Sequence, residues 1–245
     1  MAYSGLQAAL MIARTRKLLS LLVMINACSS EPLQSGEGGA GASGSAGAGS
    51  TGAPPPGNFP ELSYAAYPDG PYGYGVGATI ANLSFMGWRD PVKSNYDVNQ
   101  FDNVSLAEFY NPSGAQDKPR LLLINASAVW CVVCRAEYSQ LRRDKTYDTF
   151  KPKGVEVLGV LFEDNDHNPA RPSDLQQWGG DKGFNVKFPL VLDPGFKISK
   201  YFTSDATPMN LLIDTTSMRI INITMGYDPT NPDDYWDKIA IELAK

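Results

Sequence analysis

The sequence has a single histidine, His167, among its 245 residues, and its basic residues are fewer than its acidic ones. One imidazole cannot supply the several ligands of a multi-histidine zinc site, and any histidine-dependent catalytic triad would have to use this one residue. With 21 Lys and Arg against 26 Asp and Glu, the formal net charge is −5, whereas binding to duplex nucleic acid needs a dense basic face. The composition therefore disfavours most hydrolase mechanisms and predicts no nucleic-acid partner.

Cysteine is also scarce, with three residues, Cys28, Cys131 and Cys134. Three cysteines are too few for a disulfide framework, but the last two are separated by two residues, a spacing typical of redox or metal chemistry. The sequence offers no second pair of cysteines, or of Cys and His, to complete a zinc site. The CxxC motif therefore predicts redox chemistry without a metal or a cofactor, with a structural disulfide and a metal site as the alternatives.

The apolar run at residues 18–25 is too short to cross a bilayer. Basic residues within positions 14–17 precede it, as in the charged and apolar regions of an export signal. Residues 25–28, Ile-Asn-Ala-Cys, resemble a bacterial lipobox, in which the cysteine becomes the lipid-carrying first residue of the processed chain. The sequence therefore predicts a lipoprotein-type signal peptide at residues 1–27 and lipidation of Cys28, with an ordinary signal and an incidental cysteine as the alternative.

Residues 28–60 are rich in Gly, Ala, Ser and Pro. Such a segment cannot bury enough apolar surface to offset its ordering entropy, so we expect a flexible tether. The folded domain is expected at residues 61–245, on the periplasmic side of the cell envelope and held to the membrane by the lipid. Ser29, which follows the lipidated cysteine where an inner-membrane protein would have Asp, favours the outer membrane over the inner one.

From residue 61 onward, short apolar runs alternate with helical patterns, which indicates an α/β domain. The runs at residues 121–126 and 155–162 are nearly continuous, as in central strands buried on both faces. The other predicted elements are an edge strand or hairpin at 80–85, a helix at 131–144, a helix capped by Ser173 or Asp174 that ends near Trp178, a short helix at 197–202, a hairpin of strands 209–214 and 220–225, and a C-terminal helix.

The CxxC motif lies at the junction of a predicted strand and a predicted helix. Cys131 would therefore occupy the helix N-terminus, where unpaired N–H groups and the helix dipole stabilise a thiolate. One helical turn brings Cys134 close enough to form a reversible disulfide with it. We expect Cys131 to be the attacking sulfur and Cys134 the resolving one.

The segment around the motif, residues 124–137, resembles the active-site segment of thioredoxin-fold proteins, and specifically of the TlpA-like and ResA-like exported thiol-disulfide oxidoreductases of the AhpC/TSA-redoxin superfamily. Trp130 matches the tryptophan that precedes the first cysteine in that family, and Thr207-Pro208 matches its cis-proline loop. The resemblance implies that Trp130, Thr207 and Pro208 bind the substrate. It also implies a thioredoxin-like fold: a central mixed β-sheet flanked by helices, an N-terminal extension strand or hairpin, and an insertion between the second core strand and the cis-proline hairpin.

Two further residues are carried over from the family. Asn125 occupies a structural position near the site, and Glu137 matches the family's active-site glutamate, which would accept the proton of the buried Cys134 thiol. The alternative for Glu137 is an exposed helix residue. The chain departs from the family at Val133 and Ser139, where prolines are usual, so the redox potential does not follow from the resemblance.

These residues lead to one main hypothesis and two alternatives. We expect a membrane-tethered thiol-disulfide oxidoreductase that acts on exported protein thiols and disulfides and exchanges electrons with a membrane or periplasmic thiol-redox partner. A peroxiredoxin-like peroxide reductase is one alternative, although Ala128 stands where its Thr-x-x-Cys pocket would have threonine. A copper-binding protein resembling the Sco family is the other, although that family has three residues between its cysteines and a distal histidine.

Overall fold

A computed structural model describes residues 66–203, 206–231 and 234–245. The predicted signal peptide at residues 1–27, the lipidation site Cys28 and the tether at residues 28–60 lie outside these residues, and so does the start of the domain predicted at residue 61. In the described part of the chain, no helix combines the length and the apolar character needed to traverse a lipid bilayer.

One seven-stranded sheet organises the domain, with the spatial order β2-β1-β5-β4-β3-β6-β7. Its strands are β1 (Ser84–Trp88), β2 (Asp102–Ser105), β3 (Leu121–Ser127), β4 (Val155–Leu161), β5 (Leu190–Leu192), β6 (Met209–Asp214) and β7 (Arg219–Met225). The pairs β3·β4 and β4·β5 are parallel, whereas the remaining pairs are antiparallel. The predicted mixed α/β sheet is therefore confirmed.

The helices are α1 (Val132–Asp144), α2 (Thr146–Phe150), α3 (Pro172–Gly179) and α4 (Asp234–Leu243), and short 3₁₀ helices include Lys197–Tyr201. The helix predicted at 131–144 is confirmed as α1, with Cys131 as its N-cap. It ends where Lys145 adopts a left-handed conformation with φ 52° and donates its N–H to the Leu141 carbonyl. This left-handed residue separates α1 from α2. The sequence pattern did not predict α2.

The two central strands carry the core. All seven residues of β3 and all seven of β4 are buried, because each strand has a neighbour on both edges and packs on both faces. Their apolar runs therefore predicted them correctly. Asn125 is a polar exception in the middle of β3, and its side chain is only 2% exposed. A buried polar side chain in such a strand needs hydrogen-bond partners.

The predicted boundaries of the first strand and of α3 differ from the structure, and strand β5 was not predicted. The first strand lies at Ser84–Trp88 rather than 80–85, because the backbone N–H of Ile80 donates to the Met218 carbonyl (2.9 Å) beside β7 instead of joining β1. Helix α3 begins at Pro172, since proline needs no N–H partner at the first helical position. Strand β5 lies within a segment for which no strand was predicted.

Candidate active site

A disulfide joins the two cysteines of the CxxC motif. Their sulfurs are 2.11 Å apart and their Cα atoms 5.3 Å apart. Cys131 has non-helical backbone angles as the N-cap of α1, and its Sγ accepts the N–H of Cys134 at 3.0 Å. Cys131 is 3% exposed and Cys134 is 0% exposed. The turn from β3 into α1 therefore holds both sulfurs together, with Cys134 on the inner side.

The Thr207-Pro208 segment lies against Cys131, as the resemblance implies. Its peptide bond is cis, and the Thr207 hydroxyl donates to Cys131 Sγ at 3.1 Å. The sheet holds the segment in place, because β6 begins at the next residue and the Gly226 N–H donates to the Pro208 carbonyl at 2.8 Å. The fold thus brings Thr207 and Pro208 to a cysteine that is distant from them in the sequence.

Trp130 is held by the loop that follows β4. Its indole Nε1 donates to Glu163 Oε2 at 2.7 Å, and its ring lies against the His167 ring with centroids 4.7 Å apart. His167 Nδ1 is 3.5 Å from the same Glu163 oxygen. The His167 side chain is 67% exposed, and its contact with Trp130 was not predicted. Glu163 and His167 therefore set the orientation of the indole beside Cys131.

Glu137 lies one helical turn after Cys134, on the inner face of α1, and is 1% exposed. The Asn125 amide Nδ2 donates to its Oε2 at 2.7 Å, and the Asn210 Nδ2 donates to its Oε1 at 3.2 Å. Tyr235 from α4 lines the same small cavity as Glu137. The structure therefore places Glu137 in the interior and not at the surface, which was the alternative.

The environment of Glu137 changes its acidity. Burial removes water from the carboxylate and raises its pKa to about 7, although the hydrogen bonds from Asn125 and Asn210 act in the opposite direction. A carboxyl group with this pKa can both accept and release a proton near neutral pH. This titratable group lies one helical turn from the buried Cys134.

Asn125, Ser127 and Asn210 extend the polar cluster into the sheet. Asn125 pairs directly with Asn210 in the antiparallel register of β3 and β6, and its Nδ2 donates to the Asn210 Oδ1 at 2.9 Å. The Ser127 hydroxyl donates to the Asn125 Oδ1 at 2.8 Å. Sequence reasoning identified Asn125 but missed Asn210, although an amide within the apolar run of β6 was a signal for a buried polar contact.

The surface around the disulfide is apolar on one side. Val132 and Val133, the residues between the cysteines, are 75% and 38% exposed. Arg135 stabilises the loop before α1, because its Nε donates to the Val129 carbonyl at 2.7 Å. Its Nη2 also donates to Asn165 Oδ1 at 3.2 Å, in the loop that follows β4. Two exposed valines beside a protected sulfur are suited to contact with an apolar surface of another protein.

Within residues 66–203, 206–231 and 234–245, no group of three or more Cys, His, Asp or Glu side chains is arranged to hold a metal ion.

Comparisons with known proteins agree with this geometry. The model of the AhpC/TSA family matches residues 93–221, more than half of the chain. The thiol-disulfide oxidoreductase ResA of Bacillus thuringiensis subsp. konkukian (strain 97-27) is 25% identical over 123 residues, which cover 50% of this chain and 65% of that relative. ResA of Bacillus cereus (strain ZK / E33L) is 26% identical over 97 residues, which cover 40% of this chain and 50% of that relative. The chain therefore spans less than two thirds of the length of these curated relatives.

Solved structures show the same fold. A Chlorobium tepidum crystal structure described as a thiol:disulfide interchange protein DsbE aligns with a TM-score of 0.51 at 17% identity, covering 69% of this chain and 97% of that one. A Bacteroides thetaiotaomicron solution structure described as a protein disulfide isomerase aligns with a TM-score of 0.50 at 20% identity, covering 69% of this chain and 91% of that one. The thioredoxin-like fold that the motifs implied is thus confirmed, and the chain belongs to the AhpC/TSA family.

Proposed function

We propose that this protein is a thiol-disulfide oxidoreductase whose Cys131/Cys134 pair exchanges with thiols and disulfides of other proteins. The observation that supports this most strongly is the disulfide at the N-terminus of α1, in contact with the Thr207 hydroxyl of the cis-proline segment. A purely structural disulfide would not need a loop from a distant part of the sequence against one sulfur. The curated relatives named for the same activity support the same conclusion.

In the reducing direction, the Cys131 thiolate attacks one sulfur of a substrate disulfide, and the other substrate sulfur leaves as a thiolate. A mixed disulfide then joins Cys131 to the substrate. The Cys134 sulfur attacks Cys131 Sγ, its proton passes to the Glu137 carboxylate, and the second substrate sulfur leaves. Two electrons have then moved from the enzyme dithiol to the substrate, and the enzyme holds the disulfide seen in the structure. The reverse sequence oxidises a substrate dithiol.

The substrate would lie across the Cys131 side of the site. Thr207 and Pro208 border the sulfur on one side, Trp130 forms the rim, and the exposed Val132 and Val133 supply an apolar contact. Because Cys134 is 0% exposed, a substrate sulfur reaches Cys131 and not its partner. We assign substrate binding to these residues and nucleophilic attack to Cys131.

We also propose that the protein works in the cell envelope, on the periplasmic side. The basic and apolar pattern of residues 1–27 and the lipobox-like sequence at Cys28 support export and a lipid anchor. The partners would then be exported protein thiols and disulfides, together with a membrane or periplasmic thiol-redox protein. The outer membrane is the proposed location, because Ser29 follows Cys28.

The test is a redox titration of the chain from residue 28 onward in glutathione or dithiothreitol buffers. We expect a reversible two-electron transition that Cys131→Ser and Cys134→Ser abolish and that Cys28→Ser, the matched control, leaves unchanged. A midpoint near or below about −220 mV would indicate a reductant and one near about −120 mV an oxidant. A motif that never cycles between dithiol and disulfide would contradict the proposal, and turnover of hydrogen peroxide would favour the peroxidase alternative.

A further inference from the structure

His167 lies against the Trp130 indole at the rim of the candidate active site. The centroids of the two rings are 4.7 Å apart, and the ring planes are inclined by 32°. The His167 Nδ1 is 3.5 Å from Glu163 Oε2, the same oxygen that accepts the indole N–H at 2.7 Å. The His167 side chain is nevertheless 67% exposed. Its ring therefore contacts the residue before Cys131 and still leaves most of its surface to solvent.

The backbone of His167 is in the left-handed region, with φ 61°. This conformation is unfavourable for a residue with a Cβ atom and readily adopted by glycine. Other groups hold the loop in shape. The Asp164 N–H donates to the Asn168 carbonyl at 2.8 Å, and Asp164 Oδ1 accepts the N–H groups of Asp166 at 2.8 Å and Asn168 at 2.9 Å. These hydrogen bonds close the loop without the imidazole, so the loop itself does not require histidine at this position.

Two further hydrogen bonds join this loop to the segment that carries the cysteines. The Val129 N–H donates to the Glu163 carbonyl at 2.9 Å, and the Arg135 Nη2 donates to Asn165 Oδ1 at 3.2 Å. One of these contacts comes from the residues before the CxxC motif and the other from the residues after it. The loop therefore holds the His167 ring at a defined position beside the motif.

An exposed ring that is kept at an unfavourable backbone position indicates a role for the side chain itself. A small thiol or disulfide needs only to reach the Cys131 sulfur, whereas the chain around a protein cysteine also extends over the residues that border that sulfur. We propose that His167 is a further substrate-contacting residue: its imidazole extends the Trp130 surface and favours protein thiols and disulfides over small ones. This inference rests on the proposed oxidoreductase function and adds the residue that selects the substrate class. His167 itself forms and breaks no bond in the exchange.

The experiment compares His167→Asn with Asp166→Asn in the chain from residue 28 onward. Asparagine is tolerated in the left-handed region, so His167→Asn removes the ring and keeps the shape of the loop. Asp166 is the matched control, because it is exposed on the same loop and its backbone N–H, which the substitution retains, donates to Asp164. Single-turnover exchange is measured against the concentration of insulin, the protein probe, and of glutathione, the small one. Each probe is used as disulfide or thiol, according to the direction that the redox titration establishes.

We expect the half-saturating concentration of insulin to rise about fivefold in His167→Asn, which corresponds to the loss of one aromatic contact. The limiting rate with insulin and both constants for glutathione should stay at their wild-type values, as should every constant of Asp166→Asn. His167→Phe keeps a ring at this position and should restore the wild-type insulin concentration. The urea midpoint of His167→Asn should equal that of the wild type, whereas a purely structural role of His167 would lower it.

The contact between the rings is followed without turnover by the indole N–H NMR signal of Trp130 in the oxidised protein, identified by its loss in Trp130→Phe. This signal should shift in His167→Asn and not in Asp166→Asn. A wild-type protein that exchanges with neither probe would refute the proposed function and the inference with it. Exchange with both probes, but with an unshifted indole signal or an unchanged insulin concentration in His167→Asn, would overturn the inference alone. His167→Gly gives the same test if His167→Asn does not fold, because glycine adopts this backbone freely.

Discussion

Glu137 shows how much the surroundings of one residue change its chemistry. It belongs to a motif that can be read from the sequence, but burial and two amide donors set its proton affinity. Its pKa of about 7 in the folded protein lies above the ordinary value of 4.5. The folded protein therefore binds this proton more tightly than the unfolded chain, and the protonated residue adds to stability.

The consequence for stability has a definite sign. The contribution of Glu137 is fully present below pH 4.5 and is lost as the pH rises to about 7. Across this range we expect the free energy of unfolding to fall by roughly 3 kcal/mol more in the wild type than in Glu137→Gln. Urea unfolding at several pH values measures both slopes. Parallel slopes in the two proteins would show that the acidity of Glu137 does not differ between the folded and unfolded states.

The residues of the site divide into those that a local motif can reveal and those that it cannot. The sequence identified Cys131, Cys134 and Glu137 because they share one short segment, and Thr207 and Pro208 because they form a family dipeptide. It did not identify Tyr235, which lines the same small cavity as Glu137, or Glu163, whose partner Trp130 is distant in the sequence. Only the packing of α4 and of the loop after β4 creates those contacts.

At the scale of elements, β1 depends on a close approach of backbones. A Cβ atom added to Gly87 would lie 2.3 Å from the Leu190 carbonyl oxygen and 2.5 Å from the Val191 Cα in β5. Backbone atoms cannot rotate away as the end of a side chain can. The β1·β5 pair therefore requires glycine at this position.

We expect Gly87→Ala to lower the free energy of unfolding by about 3 kcal/mol, because overpacking forces the two strands apart. Gly75→Ala is the matched control, since a Cβ there meets no atom within 4 Å. Urea unfolding monitored by circular dichroism measures both variants. A Gly87→Ala protein as stable as the control would mean that β1 and β5 can separate without cost.

The helices and strands that could be predicted from the sequence are those with a long and regular pattern of apolar residues. Strands β3, β4 and β6 are long and apolar, and their predicted positions are correct to within a residue or two. Strand β2 has the sequence Asp-Asn-Val-Ser, of which only Val104 is buried, so it gave no strand signal. Helix α2, with five residues, has no buried side chain and gave no helical signal either.

For the molecule as a whole, the net charge does not favour binding to a membrane surface, whereas the proposed lipid anchor does. With a formal net charge of −5, the protein gains no electrostatic attraction from anionic lipids, so attachment would depend on acyl chains. The α/β class and the family were both accessible from the sequence, whereas β2, α2 and β5 were not. The position of the domain relative to a membrane depends on residues 1–65, which lie outside the described part.

We expect the full-length protein to remain in the membrane fraction after a high-salt wash and Cys28→Ala to move to the soluble fraction, because salt removes ionic contacts but not inserted lipid. Fractionation followed by immunoblotting measures the distribution. Cys131→Ser is the control for the loss of a cysteine and should stay with the membrane. A Cys28→Ala protein that also stays there would refute the lipid anchor.

The pairing of Asn125 with Asn210 across β3 and β6 has a consequence for protein engineering. The two sulfurs of the CxxC motif reside on one short stretch of chain, but the environment of Glu137 is assembled from the middle of the sheet and from the C-terminal helix. Grafting the segment from Trp130 to Glu137 onto another scaffold would transfer the two sulfurs and the carboxyl group without that environment. A transplanted motif of this kind would inherit the pH response of its host.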